Sequence, residues 1–438
     1  MREDWHLDEG TALGLVTGRL DVRERNQAVR HLLAGCESCR EMVRQISFAS
    51  EGMEGVGAEL FDQLGEMSLM TSQIIRTLDD AMGRLLWADI ERIPPSKRLA
   101  FIKRETKYHT HGVFQAALRG ARKSTYRNPQ EAVEVANLAL ALAELADAEI
   151  GLADELRFDW RANALLALSY AQKMAGEFRA AESSLELADT YLTCGTQDPI
   201  ERAMLIVGQG GLFSDLGRFE EAVEVLDRAF ALFRRVEDRN GAGKVRLQQG
   251  AVLQYIDPAR GLELVEEGLA MIDLEAEPRA EWAGRHTQAY CYNELGEPEE
   301  AEGILQTYRY LSDRFPDFEV QTTRGWLCAR VCARLGRTDE AEHRFREVQA
   351  SYLEQGFRQE AILTSIDLAE LLANERRTGE ALYIARELFP ILKAWRLHRD
   401  TLGLVSLVTE ALERDAVEGV FRDVASQLRR RWYLNDAA

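Results

Sequence analysis

Gly217-Arg-Phe-Glu-Glu-Ala222 decides how this 438-residue chain folds, because the pattern returns as Gly176-Glu-Phe-Arg-Ala-Ala181, Gly296-Glu-Pro-Glu-Glu-Ala301 and Gly336-Arg-Thr-Asp-Glu-Ala341. Each copy is a glycine, four residues and an alanine. Glycine supplies the backbone freedom for a tight turn between two helices, and alanine lets the second helix lie close against the first. Degenerate copies run from Arg127 to Ala132, Asp257 to Gly261 and Arg376 to Ala381, so small anchors fall at 132, 181, 222, 261, 301, 341 and 381. After the first interval the period is about forty residues, one helix pair per unit. The pattern predicts an all-α array beginning near residue 84, in which each unit packs on its neighbours.

Further small residues fit the same register: Gly210, Gly250, Ala289 and Ala329 in the first helices, and Ala229 seven residues after Ala222. The units resemble tetratricopeptide repeats. Their period exceeds the usual thirty-four and matches that of HEAT and armadillo repeats, but the Gly-x4-Ala turn favours the tetratricopeptide class with longer helices. The resemblance implies seven helix pairs over residues 84–399, closed by C-terminal capping helices within 400–438 near Asp400 to Trp432. Together they would form a right-handed α-solenoid with a concave groove. Counting back from each anchor to the inner side of the first helix gives Tyr170, His286, Tyr290, Asn293, Trp326 and Arg330 as groove-facing residues. Aromatic, His and Arg side chains suit a peptide-binding surface. The competing reading is that aromatics at helical spacing are core.

The N-terminal stretch has a different character. His6 precedes His31-Leu-Leu-Ala-Gly-Cys36-Glu-Ser-Cys39, which supplies four zinc-ligand side chains within about forty residues. Ala34-Gly35 breaks a helix-like stretch, so Cys36 and Cys39 sit one turn apart at the start of the next helix. Free N–H groups and the helix dipole favour the thiolate there. The segment resembles the zinc-binding anti-sigma domain of bacteria: an early His6, a turn around Gly18 in ALGLVTGRLDVRE, then His31, Cys36, Cys39 and Arg40. It departs from that pattern in having four residues, not three, between His31 and Cys36. The resemblance covers residues 1–45 and implies structural Zn2+ held by His6, His31, Cys36 and Cys39, with a sigma factor as partner. Four protein ligands would leave no open position for catalysis. Oxidation of Cys36 and Cys39 to a disulfide with loss of metal is a further reading. The connector, residues 46–83, holds an expected amphipathic helix from Glu59 to Met82 on Leu60, Leu64, Met67, Ile74, Ile75 and Leu78, which would either complete a sigma-binding surface or pack on the first repeat.

A net charge of −19 disfavours general nucleic-acid binding. Two basic stretches, Lys97 to Lys107 and Arg429-Arg430-Arg431, read as solvated helix faces. The acidic start MREDWHLDEG is unlike a secretory signal, and no apolar run is long enough to span a bilayer, so a cytoplasmic protein without membrane contact is expected. Cys194, Cys291, Cys328 and Cys332 fall at apolar positions of helical segments and read as small buried hydrophobes. No P-loop, HExxH, GxSxG or kinase signature occurs. Gly208-Gln-Gly-Gly211 reads as helix packing, and His109 and His111 as structural or surface imidazoles. The expectation is a non-enzymatic protein. One reading is a bacterial regulator whose zinc module binds a sigma factor or other transcription component while the groove binds a second protein. The alternative is an adaptor or scaffold that recruits a peptide or effector within a protease, signalling or defence assembly, with zinc purely structural.

Overall fold

Proline and aspartate fix where the helices begin. Pro199, Pro258, Pro278 and Pro298 each open a helix, where the missing N–H costs nothing. Asp198 accepts from the Ile200 N–H at 2.8 Å, Asp238 from Gly241 at 2.8 Å, Asp257 from Arg260 at 3.1 Å and Asp317 from Val320 at 3.4 Å. These caps satisfy N–H groups that the helix itself leaves unpaired.

The computed structural model describes residues 6–16, 28, 38–39, 41–43, 46, 78–125, 128–145, 154–355 and 357–394. Among them every regular element is helical. The chain divides into two compact units, Met1–Met82 and Gly83–Ala438. In the first unit, Asp8 caps α1 (Glu9–Val16) by accepting from the Thr11 N–H at 2.7 Å. A small core there holds Leu7, Ala12, Ala28, Cys39 and Val43.

The second unit opens with helical residues 83–91 and α2 (Pro95–Arg104). Seven helix pairs follow: α3 (His111–Thr125) with α4 (Pro129–Leu145), α5 (Asp154–Met174) with α6 (Phe178–Cys194), and α7 (Pro199–Asp215) with α8 (Phe219–Arg235). Next come α9 (Arg239–Leu253) with α10 (Pro258–Met271), and α11 (Pro278–Leu295) with a second helix split into α12 (Pro298–Thr307) and α13 (Arg309–Arg314). The last two pairs are α14 (Phe318–Arg334) with α15 (Thr338–Gln355), and α16 (Arg358–Asn374) with α17 (Thr378–Ala394). The expected capping pair near Asp400 to Trp432 lies outside the described residues, as does most of the connector helix expected from Glu59 to Met82.

The recurring turn does what its composition requires. Gly176, Gly217, Gly296 and Gly336 have φ of 77°, 69°, 85° and 72°, and Arg376 takes 60° at the degenerate copy without glycine. In all five the next residue's N–H reaches back to a carbonyl five positions earlier, as Arg218 to Phe213 at 2.8 Å and Arg377 to Leu372 at 2.8 Å. The alanine anchors Ala132, Ala181, Ala222, Ala301, Ala341 and Ala381 are fully buried. At the fourth pair the helices meet backbone to backbone: a Cβ on Gly250 would lie 2.9 Å from the Gly261 carbonyl oxygen, and one on Gly268 2.8 Å from that of Gly243. The core is a succession of clusters along the array, as a solenoid requires.

Polar side chains stitch neighbouring pairs together. Asn163 donates to Glu201 at 2.9 Å, and Arg279 makes a bidentate contact to Asp317 at 3.0 and 3.2 Å. Burial raises the pKa of Glu201, a shift that Asn163 opposes and the nearby Asp159 and Asp198 reinforce. His109 is buried with Nε2 2.8 Å from the Ile102 carbonyl oxygen, and His111 lies against Trp160, so both imidazoles are packing elements. In the basic stretch, Arg98 is also structural: it donates to the Glu91 and Ile93 carbonyl oxygens, each at 2.9 Å. Cys291 and Cys332 are buried as expected, but Cys194 is exposed because it is the last residue of α6. No helix among the described residues is long and apolar enough to cross a membrane.

Candidate functional site

A cavity of about 380 Å³ opens where the third and fourth helix pairs face the sixth and seventh. Asp215 at the end of α7, with Gln254 and Tyr255 just after α9, forms one side; Trp326 on α14 and Glu360 and Leu363 on α16 form the other. About seventy residues of chain separate Tyr255 on one side from Trp326 on the other. Only the curvature of the array brings them together.

The lining is apolar in its walls and rich in hydrogen-bond acceptors. Asp215 pairs with Lys173 from α5. Burial raises the pKa of Glu360, and the charge of Asp215 pushes it the same way. Glu319, on the first turn of α14 and outside the lining, is also raised by burial, with Arg279 opposing the shift and Asp317 reinforcing it. Gln254 is 9% exposed and its Oε1 accepts no hydrogen bond among the described residues. Two carboxylates and an open amide oxygen beside Tyr255 and Trp326 suit a cationic group bearing N–H donors, which an ionised carboxylate and an aromatic face both attract.

The residues predicted from the repeat register divide between this cavity and the interior. Trp326 lines the cavity, donates its indole N–H to Asp367 at 2.7 Å and stacks on Tyr290 with ring centres 5.9 Å apart. Tyr290 is 3% exposed and Asn293 is fully buried, so both face neighbouring helices. Arg330 donates to the Tyr290 hydroxyl at 3.2 Å and to Glu294 at 2.7 Å, and its guanidinium lies 4.9 Å from the Trp326 ring centre. His286 lines a separate cleft with Trp282 and Tyr308, its Nε2 3.4 Å from the Thr323 carbonyl oxygen; burial pulls its pKa down to about 4. Tyr170 is 37% exposed, with the Lys173 ammonium 5.5 Å from its ring centre.

Asp215, Gln254 and Glu360 escaped the sequence reading, although a signal for two of them exists. Asp215 and Gln254 each stand seven positions before an anchor, at 222 and 261. The cavity residues Thr323 and Leu363 each stand eighteen before theirs, at 341 and 381. The eleven-residue difference is about three helical turns, so these positions form one stripe.

In the N-terminal unit, His6 Nδ1 lies 3.4 Å from Cys39 Sγ, which also accepts the Leu7 N–H at 3.3 Å. Zn–N of about 2.0–2.1 Å and Zn–S of about 2.3 Å at the tetrahedral angle put N and S roughly 3.5 Å apart, so this pair fits two corners of a zinc site. His31 and Cys36 lie outside the described residues. Among the described residues no three His, Cys, Asp or Glu side chains form a metal-sized group.

No protein-family model matches the chain, and no curated protein matches its sequence. Among solved structures the chain is similar to a Rap protein complexed with competence and sporulation factor, with a TM-score of 0.55 and 16% identity over 74% of this chain and 88% of that one. The likeness is one of fold: a tetratricopeptide-like α-solenoid. The apo form of RapI aligns with a TM-score of 0.45 and 13% identity over 82% of this chain and 97% of that one.

Proposed function

We propose that the protein is a non-enzymatic adaptor whose solenoid groove binds an extended peptide or protein segment carrying a basic residue. The observation that carries this reading is the cavity between Asp215, Gln254 and Glu360, where acceptors and aromatic walls converge and no cation among the described residues pairs with Gln254 Oε1 or Glu360. A lysine or arginine side chain would bring donors to these acceptors and relieve the mutual repulsion of the two carboxylates. The Rap protein that shares the fold was crystallised with competence and sporulation factor, which supports peptide capture as a use of such an array.

Residues 1–45 are proposed to hold structural Zn2+ through His6, His31, Cys36 and Cys39. The close approach of His6 to Cys39 favours this assignment. The metal would cross-link segments whose own core is too small to hold them. Sigma-factor binding has only the resemblance of these residues behind it, so the adaptor is the reading adopted.

Partner capture by the intact protein and by a chain lacking residues 1–45 separates the two. The adaptor reading predicts that a partner retained by the intact chain is still retained after the deletion, and that Leu363→Arg, which fills the cavity with a cation, releases it. Retention that depends on residues 1–83 and ignores Leu363→Arg would instead support the sigma-type regulator.

A further inference from the structure

Among the described residues Arg324 is a cation without a counter-ion. It projects from α14 into a cleft of about 240 Å³ between that helix, α12 and α15. Its Nε is buried and, among the described residues, has no hydrogen-bond partner and no carboxylate within ion-pair distance of its guanidinium. The other arginines of the cleft are all matched: Arg337 with Glu302, Arg344 with Glu340 at 2.8 Å, and Arg309 with Asp313 at 3.6 Å. The chain has 73 acidic against 54 basic residues, so the missing partner does not reflect a shortage of carboxylates. Desolvating part of a guanidinium with nothing to receive its donors is unfavourable, and such a group calls for an explanation.

We infer that this cleft is an oxyanion site and that its ligand is a phosphate-class group. A guanidinium offers a planar fork of N–H donors that matches phosphate oxygens, and because Glu302 and Glu340 are matched by Arg337 and Arg344, Arg324 leaves the cleft with a positive charge in excess. The site is distinct from the groove. Arg324 stands two residues before Trp326, roughly 200° away around α14, so one helix presents the aromatic wall to the peptide cavity and the cation to the cleft behind it. The inference therefore does not rest on the groove reading.

The test is thermal unfolding of the full-length protein, purified without chelator, in phosphate-free buffer titrated with inorganic phosphate or with acetate at matched ionic strength. Wild type and the exposed-arginine control Arg346→Gln should gain Tm with phosphate in a saturable way, because a ligand that binds only the folded state stabilises it. Arg324→Gln should lose the response, its apparent affinity falling at least tenfold, and Arg324→Lys should keep the charge with a several-fold weaker response. In phosphate-free buffer Arg324→Gln should unfold no earlier than wild type, since it removes an unpaired charge. Should Arg324→Gln fail to fold, Arg324→Lys decides the matter: a response equal to wild type overturns the site. A wild type indifferent to phosphate overturns it too, and an equal response to acetate overturns the phosphate assignment.

Discussion

The Arg330 guanidinium on α14 meets the Glu294 carboxylate at the end of α11 at 2.7 Å, with 14% and 16% of the two side chains exposed, so an ion pair ties the fifth helix pair to the sixth. Burial opposes the arginine's charge, but the surrounding Tyr290, Asp367 and Glu294 outweigh it and hold its pKa above the ordinary value. Arg330→Met leaves Glu294 with Arg334 at 3.8 Å as its remaining ion partner. The substitution should cost about 3 kcal/mol in urea unfolding. Adding Glu294→Gln should recover part of that loss, a non-additivity that a double-mutant cycle would measure.

The folded-state pKa of His286, about 4, lies below its ordinary 6.5. As pH falls through 6.5 the unfolded chain takes up a proton that the folded chain refuses, so stability is lost between about pH 6.5 and 4 and the loss is complete below the folded value. The upper bound on this one group is about 3 kcal/mol. His286→Gln should flatten the pH dependence of unfolding in that window relative to wild type. An imidazole that titrates near 6.5 in the folded protein by NMR would contradict the burial argument.

Two glycines give opposite outcomes for the same substitution. An alanine Cβ at Gly250 would sit 2.3 Å from Val265 Cγ2 and 2.9 Å from the Gly261 carbonyl oxygen, so α9 and α10 must separate. Gly250→Ala should destabilise by about 1–3 kcal/mol. Gly303, within α12, has open space where its Cβ would be. Gly303→Ala should stabilise by about 0.5–1 kcal/mol through helix propensity alone, and calorimetry of both variants checks the pair.

Much of this architecture is legible in the sequence because its signals are local. The positive φ at Gly176, Gly217, Gly296 and Gly336 and the burial of each alanine anchor follow from six-residue patterns. Arg376 shows the limit, since it takes the same left-handed turn without glycine, held by Arg377 reaching back to Leu372. The groove was less legible. Counting along one helix gives the stripe on which Tyr290 and Arg330 lie, but not that Trp326 and Arg330 of the next pair cover Tyr290. Nor does any local pattern place Asp215 across a cavity from Glu360, because that pairing depends on rotation accumulated over several repeats.

Metal analysis of the purified protein should find about one zinc per chain, the stoichiometry of a four-ligand site. Cys39→Ser should lower that content sharply, since Cys39 is 1% exposed and lies against His6. Chelation should leave most of the helical circular dichroism in place, because the repeat cores contain no proposed ligand. Collapse of the whole signal on chelation would mean that zinc holds more than the N-terminal unit.

Peptide-array binding of the purified full-length protein tests the groove most directly. Wild type should enrich peptides containing lysine or arginine, and Glu360→Gln with Asp215→Asn should cut their affinity by roughly tenfold or more, as expected for losing charge-assisted hydrogen bonds. Leu363→Arg should abolish binding. Wild type that enriches no basic peptide, or variants that bind the same peptides as tightly as wild type, would contradict the assignment of this cavity as the binding groove.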